Sequence, residues 1–484
     1  MKKVLAFDFG ASSGRAVLAY VCGGKLKTEE IHRFKNEPVT VNGGMYWDVL
    51  RLFHEIKNGI TAALKSGGFD AISVDTWGVD FGLIDKNGEL LANPVHYRDR
   101  RTEDIPEKVF KIIPKDELFK RTGIQFMRIN TLYQLMFLKL KKPYLLDMTD
   151  KFLLTPDLFA YFLTGEKKAE TSIASTTNLL NPYTRNWDYD LIEKLGLPSR
   201  IFPEIAETGS VRGMLSEELC TELGCKSVPV ISVAEHDTES AAAAMTVSDK
   251  KSVFISSGTW SLFGIETEKP LIGESDAGFT NECGCNNKIC HVKNIMGLWL
   301  LQETRRQWQR EGKDVGFDEM EKTALLAKSF KAFINPDDPS FETAGNIPLR
   351  ICEYCRKTGQ PVPESDGEIL RCIYDSLAMK YRQSLMELSG DTGVAYEQLL
   401  IFGGGVKDKL LCKLTADACG IPVITGPSEA TIIGNVKVAL AALGEPCDGV
   451  GTESGSNTEY LPDKNNVWSQ YDEIYKNILY KAIK

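Results

Sequence analysis

The stretch Ala234-Glu235-His236-Asp237-Thr238-Glu239-Ser240 joins two segments of different character. The apolar run at 228–233 predicts a buried strand, and the small residues at 241–244 predict a closely packed helix. Asp237 is therefore expected where a strand ends and a helix begins. A carboxylate there can accept a proton from a hydroxyl, beside backbone N–H groups that face the same pocket. A helix N-cap next to a packed His236 is the alternative interpretation.

The composition is that of a globular protein with ample core. The chain has 484 residues, of which 43% are apolar and 25% charged, enough for two or three domains. A net charge of −9 argues against nucleic acid as a partner. The first apolar stretch is short and is interrupted by Asp8, unlike a signal peptide, and no run approaches the roughly 18 residues of a membrane span. We therefore expect a cytoplasmic protein that does not contact membranes.

Two parts of the chain begin in the same way. An apolar strand, a turn of small residues and a second apolar strand occur near the N-terminus and again at 253–263. This weak duplication predicts an α/β fold of two related domains around a cleft, at 1–245 and 246–484. A polar segment at 246–252 is the expected hinge, and 103–227 is predicted to be mostly helical.

Each predicted domain has a loop suited to binding phosphate. In the first, Phe7–Arg15, two glycines allow close backbone approach and two serines add hydroxyl donors, while Asp8 is suited to hydrated Mg²⁺ and Arg15 to a phosphate. The second, Ser256–Ser261, offers similar chemistry. Neither is a Walker motif, and either alone could be a plain turn. Together they favour a site in which both loops hold the phosphates of one nucleoside triphosphate.

Two further segments are suited to flat ligands. Gly403-Gly404-Gly405, between a strand and a helix, offers a bare backbone surface for a base, or is simply a tight turn. The segment Asp75–Asp80 ends a strand. There Trp77 offers an apolar face and Gly78 a close contact for a sugar, unless Trp77 belongs to the core.

Two amides extend this set of candidate ligand contacts. Asn294 is predicted near the start of a helix, and Gln302 lies about two turns further on. Both would then face the cleft. The alternative is that they are a helix cap and a surface amide.

The order of these motifs resembles that of the FGGY carbohydrate kinases, from Phe7 to about Asn435. Within that family, the Asp-Thr-Trp-Gly-Val-Asp-Phe and Gly-Thr-Trp-Ser-Leu segments resemble members that act on L-rhamnulose. The resemblance is carried by Asp8–Arg15, Asp75–Phe81, Tyr97–Asp99, His236–Thr238, Ser256–Leu262, Lys293–Trp299 and Gly403–Gly405.

The resemblance implies an actin-like ATPase fold, with two ribonuclease-H-like domains around a catalytic cleft. It also implies transfer of phosphate from ATP to O1 of L-rhamnulose, with Mg²⁺ held through Asp8 and Asp237. Asp237 would be the proton acceptor. The sugar would contact Gly78, His236, Asp237, Thr238 and Asn294. The nucleotide would contact Ala11, Ser12, Ser13, Gly14, Arg15, Thr259, Gln302 and Gly404. Cys355 and Cys372 match a pair that can form a disulfide in a relative, although a cytoplasmic location disfavours one.

Two alternatives remain open at the level of sequence. One is a kinase of the same family for another ketose, such as L-fuculose or L-xylulose. The other is a non-catalytic actin-like ATPase used as a filament or regulatory scaffold. Asp237 and the Trp77–Gly78 pocket argue against the scaffold, because a filament protein has no evident need for them.

Overall fold

Two seven-stranded sheets form the framework of the computed structural model, which describes residues 1–245, 251–273, 278–445, 451–452, 457–464 and 467–482. In the first sheet the strand order is Ser210–Met214, Pro229–Ser232, Ala71–Thr76, Lys3–Phe9, Ser13–Cys22, Lys25–Lys35 and Gly451–Thr452. In the second sheet it is Phe279–Cys283, Ile289–Met296, Trp260–Thr267, Ser252–Ser257, Gln398–Phe402, Val423–Thr425 and Glu459–Tyr460.

Both sheets are built around the same arrangement. Lys3–Phe9 pairs antiparallel with the hairpin strand that follows it and parallel with Ala71–Thr76. Ser252–Ser257 pairs in the same two ways, antiparallel with Trp260–Thr267 and parallel with Gln398–Phe402. The predicted pair of ribonuclease-H-like domains is therefore confirmed. Most of the predicted hinge lies outside the described residues, and its last residue, Ser252, already belongs to a strand.

The local sequence explains the first hairpin and the helix after it. Gly23 and Gly24 have φ values of 59° and 71°, the left-handed conformation that a two-residue hairpin turn requires. The helix Val49–Lys65 begins at Asp48, whose side chain accepts a hydrogen bond from the backbone N–H of Arg51. Its apolar residues recur at helical spacing and face the sheet.

Helices occur in both halves of the chain. In the first half they are Val49–Lys65, Ile105–Phe110, Lys115–Thr122, Thr131–Lys141, Pro143–Met148, Thr155–Thr164, Thr171–Ser175, Tyr189–Lys194, Glu217–Leu223 and Asp237–Ala243. In the second half they are Trp299–Arg310, Phe317–Leu326, Ile347–Lys357, Asp366–Thr392, Lys409–Cys419, Ala430–Ala442 and Asp472–Ala482.

The middle of the first half is more mixed than the expected mostly helical segment. Thr149–Leu154 pairs with Phe81–Asp85, and Lys168–Glu170 pairs with Glu204–Ala206. These strands have three to six residues and pair over long distances in sequence, so local periodicity gives little sign of them. One helix of this segment, Thr155–Thr164, ends at Gly165, whose φ of 82° is the left-handed conformation common after the last residue of a helix.

The helix Ala430–Ala442, late in the chain, packs against the first half. Its Ile433 and Val436 belong to one apolar cluster with Val4 and Ala241 of the first half and Phe254 of the second. The two halves are thus joined by a shared core. Close approach is needed at Gly434, where any side chain would collide with the backbone carbonyl of Ser240.

Replacing Gly434 by Ala is expected to lower the midpoint of thermal unfolding. The added Cβ overlaps a backbone oxygen, and such overpacking typically costs about 1–3 kcal/mol. Gly390→Ala is the matched control, because it lies in the helix Asp366–Thr392 with no described atom near its would-be Cβ. That change should leave the midpoint equal or slightly higher. An unchanged midpoint for Gly434→Ala would show that the helices Asp237–Ala243 and Ala430–Ala442 can move apart without loss of stability.

Candidate active site

Three carboxylates converge at the carboxyl ends of the central strands of the first sheet. Asp8 and Asp75 lie opposite each other in the parallel pairing of Lys3–Phe9 with Ala71–Thr76. Asp237 is the first residue of the helix that follows the strand Pro229–Ser232, as predicted from the sequence. Burial raises the pKa of Asp237 to about 6, with His236 opposing the shift and Asp8 adding to it.

Asp75 is fully buried and is held by the second half of the chain. Its Oδ2 accepts a hydrogen bond of 2.5 Å from Nδ2 of Asn435, and the Oδ1 of Asn435 accepts one from Ser73. No described residue donates a hydrogen bond to Asp75 Oδ1. Burial raises the pKa of Asp75 well above its ordinary value, and the nearby charges of Asp8 and Asp237 add to this.

The carboxylates of Asp8, Asp75 and Asp237 offer the type of ligand that a divalent cation such as Mg²⁺ prefers. Hard cations prefer carboxylate oxygens, and Asp75 Oδ1 is a buried oxygen without a partner among the described residues. A cation would also offset the charges of Asp8 and Asp237, which add to the effect of burial on the pKa of Asp75.

Arg15 joins the first phosphate loop to the second half. Its Nε and Nη2 donate to Asp8 Oδ2 at 3.0 and 2.8 Å, and its Nη1 donates to Glu429, just before the helix Ala430–Ala442. The guanidinium, expected at a phosphate, is thus already engaged by two carboxylates. It links the halves across the cleft.

The first phosphate loop is a tight turn. The N–H of Gly10 donates to the carbonyl of Ser13, and Ala11 and Ser12 are exposed. Gly14 was expected to give the backbone access to phosphate, but it is buried in a strand where any Cβ would collide with the ring of Phe34. The absence of a side chain there serves packing.

The second loop and the glycine segment meet at Ser257. Thr259 is exposed at the turn, and its hydroxyl donates to Gln302 Oε1 at 3.4 Å, so these two predicted nucleotide contacts are neighbours. Gly403, at φ 84°, would place a Cβ 2.8 Å from the carbonyl oxygen of Ser257. Gly404 has no described atom within 4 Å of its would-be Cβ and therefore faces open space.

The predicted sugar contacts Gly78 and His236 are in close apposition. A Cβ on Gly78 would lie 3.2 Å from both His236 Nε2 and Thr176 Cγ2. The next residue, Val79, has a φ of 69°, which is rare and strained for a β-branched residue. Its carbonyl accepts a hydrogen bond from Thr131 at 2.7 Å, which helps to hold this turn beside His236.

His236 lies between carboxylates. Its Nδ1 is 2.5 Å from Glu239 Oε2 and 2.9 Å from Glu282 Oε2, and its Nε2 is 3.6 Å from Asp237 Oδ1. Burial alone would lower the pKa of His236, but the charges of Glu239 and Glu282 raise it well above its ordinary value. Thr238, the other predicted sugar contact here, donates to Asp237 Oδ1 at 3.3 Å.

The prediction that Asn294 begins a helix is wrong. Asn294 lies on the strand Ile289–Met296, and the helix that carries Gln302 begins at Trp299. The apolar run between them continues a strand before the turn at Gly297, and both secondary structures fit a short apolar segment. Asn294 Nδ2 contacts Sδ of Met127 in the first half at 3.8 Å, so the side chain does face across the cleft.

Trp77 belongs to the core, the alternative noted above. Trp77 is 5% exposed, and its ring packs on that of Trp47. The indole N–H of each tryptophan donates a hydrogen bond to Asp80 Oδ2, at 3.0 Å from Trp77 and 2.6 Å from Trp47. Asp80 therefore holds the turn after Asp75 in shape rather than facing a ligand.

A buried arginine supports the segment that carries His236 and Asp237. Arg212 Nη2 donates to Asp157 Oδ1 at 2.9 Å and to Glu235 Oε1 at 2.7 Å, and its Nε donates to Ser232 at 2.7 Å. The side chains of Arg212 and Asp157 are completely buried, and that of Glu235 is nearly so. The residue next to His236 is thus fixed by an internal ion network.

Four residues of the site were not identified from the sequence. Glu239 stands within the opening motif, and its position three residues after His236 on a helix was the available signal. Glu282, Glu429 and Asn435 come from the second half and meet residues of the first only in the folded chain. No local pattern indicates such contacts.

Two further sequence-based points can be compared with the structure. Cys355 and Cys372 are both free thiols, with no disulfide between them. Within the described ranges, no helix combines the length and apolar character needed to cross a membrane.

The sequence matches two models of one family. The N-terminal domain of the FGGY family of carbohydrate kinases matches residues 3–244, and the C-terminal domain of that family matches residues 253–443. The chain therefore belongs to the FGGY family of carbohydrate kinases. Membership implies a sugar and ATP as substrates.

Relatives with similar sequences agree with this assignment. The chain is 42% identical over 480 residues to a rhamnulokinase of Bacteroides thetaiotaomicron, covering 98% of each chain. It is also 42% identical over 443 residues to one of Oceanobacillus iheyensis, covering 91% of this chain and 93% of that one.

In fold, the chain is similar to a ligand-bound xylulose kinase of Lactobacillus acidophilus, with a TM-score of 0.82, 17% identity and 99% and 98% coverage. It is also similar in fold to a glycerol kinase of Plasmodium falciparum with ADP, with a TM-score of 0.77 and 16% identity, over 100% of this chain and 98% of that one.

Proposed function

We propose that this carbohydrate kinase transfers the γ-phosphate of ATP to O1 of L-rhamnulose, giving L-rhamnulose 1-phosphate and ADP. The similarity to two relatives named rhamnulokinase, which extends over 91–98% of the chain, carries the choice of substrate. We also propose that the chain divides into an N-terminal domain at 1–245 and a C-terminal domain at 246–484.

Asp237 is the proposed general base. It stands at the N-terminus of a helix, one-third exposed, where it can take the proton of the attacking hydroxyl. His236, Thr238, Gly78 and Asn294 would surround the sugar. Phosphoryl transfer depends chiefly on positioning and charge neutralisation, so these contacts would act by placing O1 in line with the phosphate.

Asp8 and Asp237 are the proposed holders of Mg²⁺, and the partnerless oxygen of Asp75 fits the same role. When bound, the cation supplies positive charge to the transferred phosphate group. Asp8 is fixed for this task by two hydrogen bonds from Arg15.

The nucleotide would lie between the two loops. Ala11, Ser12, Ser13 and Arg15 would meet the phosphates from the first half, and Thr259 with Gln302 would meet them from the second. Gly404 would lie under the base, because its Cα faces open space. The closed cleft would exclude water and limit ATP hydrolysis.

Gly404→Leu is expected to raise the KM for ATP far more than the KM for the sugar. The leucine would occupy the open space above Gly404 without disturbing a described neighbour, so stability should be retained. Initial rates at varied ATP and at varied sugar separate the two effects. A rise confined to the KM for sugar would show that this segment does not contact the nucleotide.

A coupled assay of ADP release over a panel of sugars tests the proposed substrate. L-rhamnulose should give the highest kcat/KM, above L-fuculose and L-xylulose. A higher value for another ketose would reassign the substrate within the family. ATP hydrolysis that no sugar stimulates, with polymers that sediment in ATP, would favour the scaffold instead.

A further inference from the structure

The ring of His236 is held by glutamates from both halves of the molecule. Glu239 lies one turn further along the same helix, whereas Glu282 lies on the strand Phe279–Cys283 of the second sheet. Both side chains are nearly or fully buried, and both approach Nδ1, at 2.5 and 2.9 Å. The opposite ring atom, Nε2, lies on the side of Gly78 and Asp237.

The spacing of these atoms is that of close ion pairs rather than of ligands bound to one metal ion. Donors bound to one ion at about 2.0–2.2 Å in tetrahedral geometry lie more than about 3 Å from each other. The carboxylate oxygens of Glu239 and Glu282 lie 2.5 and 2.9 Å from Nδ1 without the angles of hydrogen bonds, so the two contacts are buried ion pairs.

We propose that Glu239 and Glu282 are positioning residues that fix the ring of His236 with Nε2 toward the ketose. This inference rests on the proposed function, because it takes His236 as a sugar contact. Glu239 alone would hold the ring from within its own helix. Glu282 adds a contact from the other half, so the sugar pocket is complete only when the two halves are together.

The chemistry of the contact explains why two carboxylates are useful. A histidine ring can rotate about its side-chain bonds and exchange its two nitrogens, which changes the atom presented to a ligand. Two buried carboxylates close to Nδ1 favour the ring orientation that keeps this nitrogen beside them. The remaining nitrogen is then preorganised for a sugar oxygen beside Asp237, and preorganisation appears as tighter binding.

A double-mutant cycle on His236 and Glu282 tests the proposal. Glu282→Ala and His236→Ala should each weaken ketose binding, measured by calorimetry without ATP, by about 10–100-fold, on the order of the loss of one charged contact. The double variant should be little weaker than either single variant, because Glu282 acts through the ring. The kcat should change by no more than about threefold and the KM for ATP should stay constant.

Two further variants guard against a general loss of structure. Glu282→Gln keeps an acceptor oxygen of the same reach, so its ketose affinity should lie between wild type and Glu282→Ala. Glu266→Gln is the matched control. Glu266 is a largely buried glutamate of the same sheet whose carboxylate pairs with Lys288 rather than with a sugar contact. It should bind the ketose within about twofold of wild type.

Additive losses in the cycle, or a Glu282→Ala variant with wild-type affinity for the ketose, would overturn the proposal. If Glu282→Ala fails to fold, the ketose affinities of Glu282→Gln and Glu266→Gln are compared instead. Equal affinities of these two variants would overturn the proposal. The cycle uses whichever ketose the wild type phosphorylates best. A different preferred ketose would therefore refute the proposed substrate and leave the role of Glu282 to be judged by the cycle. Failure of wild type to bind any ketose would overturn both.

Discussion

Replacing Asp237 by Asn is expected to lower kcat by about 10²–10⁴-fold, the usual contribution of a general base. The amide keeps the shape of the side chain at the start of its helix but cannot accept the proton of the sugar hydroxyl. It also removes one of the two carboxylates proposed to hold Mg²⁺, so the affinity for Mg²⁺ should fall. The affinity for a non-hydrolysable ATP analogue, measured by calorimetry, should remain close to that of wild type.

The matched control is Asp190→Asn, because Asp190 is 93% exposed and far in sequence from the candidate site residues. Its kcat should equal that of wild type. Turnover by Asp237→Asn within a few fold of wild type would remove Asp237 from the mechanism. Loss of activity in both variants would point to a defect common to the preparations.

Replacing Arg212 by Met is expected to reduce the free energy of unfolding by about 3–5 kcal/mol. The variant leaves Asp157 and Glu235 as buried carboxylates without a counter-charge, which is far more costly than losing an exposed ion pair. Lys194→Met, which breaks the pair with Glu117 between half-exposed side chains, should cost at most about 1 kcal/mol. Urea unfolding of the three proteins measures the difference.

The defect in Arg212→Met should diminish as the pH is lowered. Burial already raises the pKa values of Asp157 and Glu235 in the folded protein, while Arg212 lowers both. Without the guanidinium, the pKa values of both carboxyls in the folded protein rise further above their ordinary values of 3.8 and 4.5, which apply to the unfolded chain. At pH values between the pKa values of the unfolded and the folded state, the folded state then binds more protons than the unfolded state. Stability therefore falls as the pH rises through this window.

A comparison of wild type and variant at pH 5.5 and pH 8 checks this sign. We expect the difference in unfolding free energy to be smaller at pH 5.5. An equal difference at both values would show that the two carboxylates do not remain buried in the variant.

The fold and the position of Asp237 in the candidate site could be predicted from the sequence because the signals for them are local. The two strand–turn–strand openings, the glycine pair at 23–24 and the helix ending at Gly165 depend on residues close together in the chain. The position of Asp237 at the start of a helix follows from the apolar run before it and the alanines after it.

The remaining parts depend on contacts between distant segments. Glu282 reaches His236 and Asn435 reaches Asp75 only because the two halves pack together. Asn294 was misplaced because an apolar run before a turn fits a strand and a helix equally. The role of Gly14 could not be distinguished, since packing against Phe34 and access for phosphate both exclude a side chain.

The packing of the helix Ala430–Ala442 on the first half also has a consequence for biosynthesis. Nearly two hundred residues separate Ser240 from Gly434, a stretch that a ribosome takes about 10–40 s to add. Until then the nascent first half lacks the cover over Ala241 and the amide that holds Asp75. Chains released before residue 430 would present that alanine-lined face to other molecules, so chaperone capture should concentrate on this intermediate length.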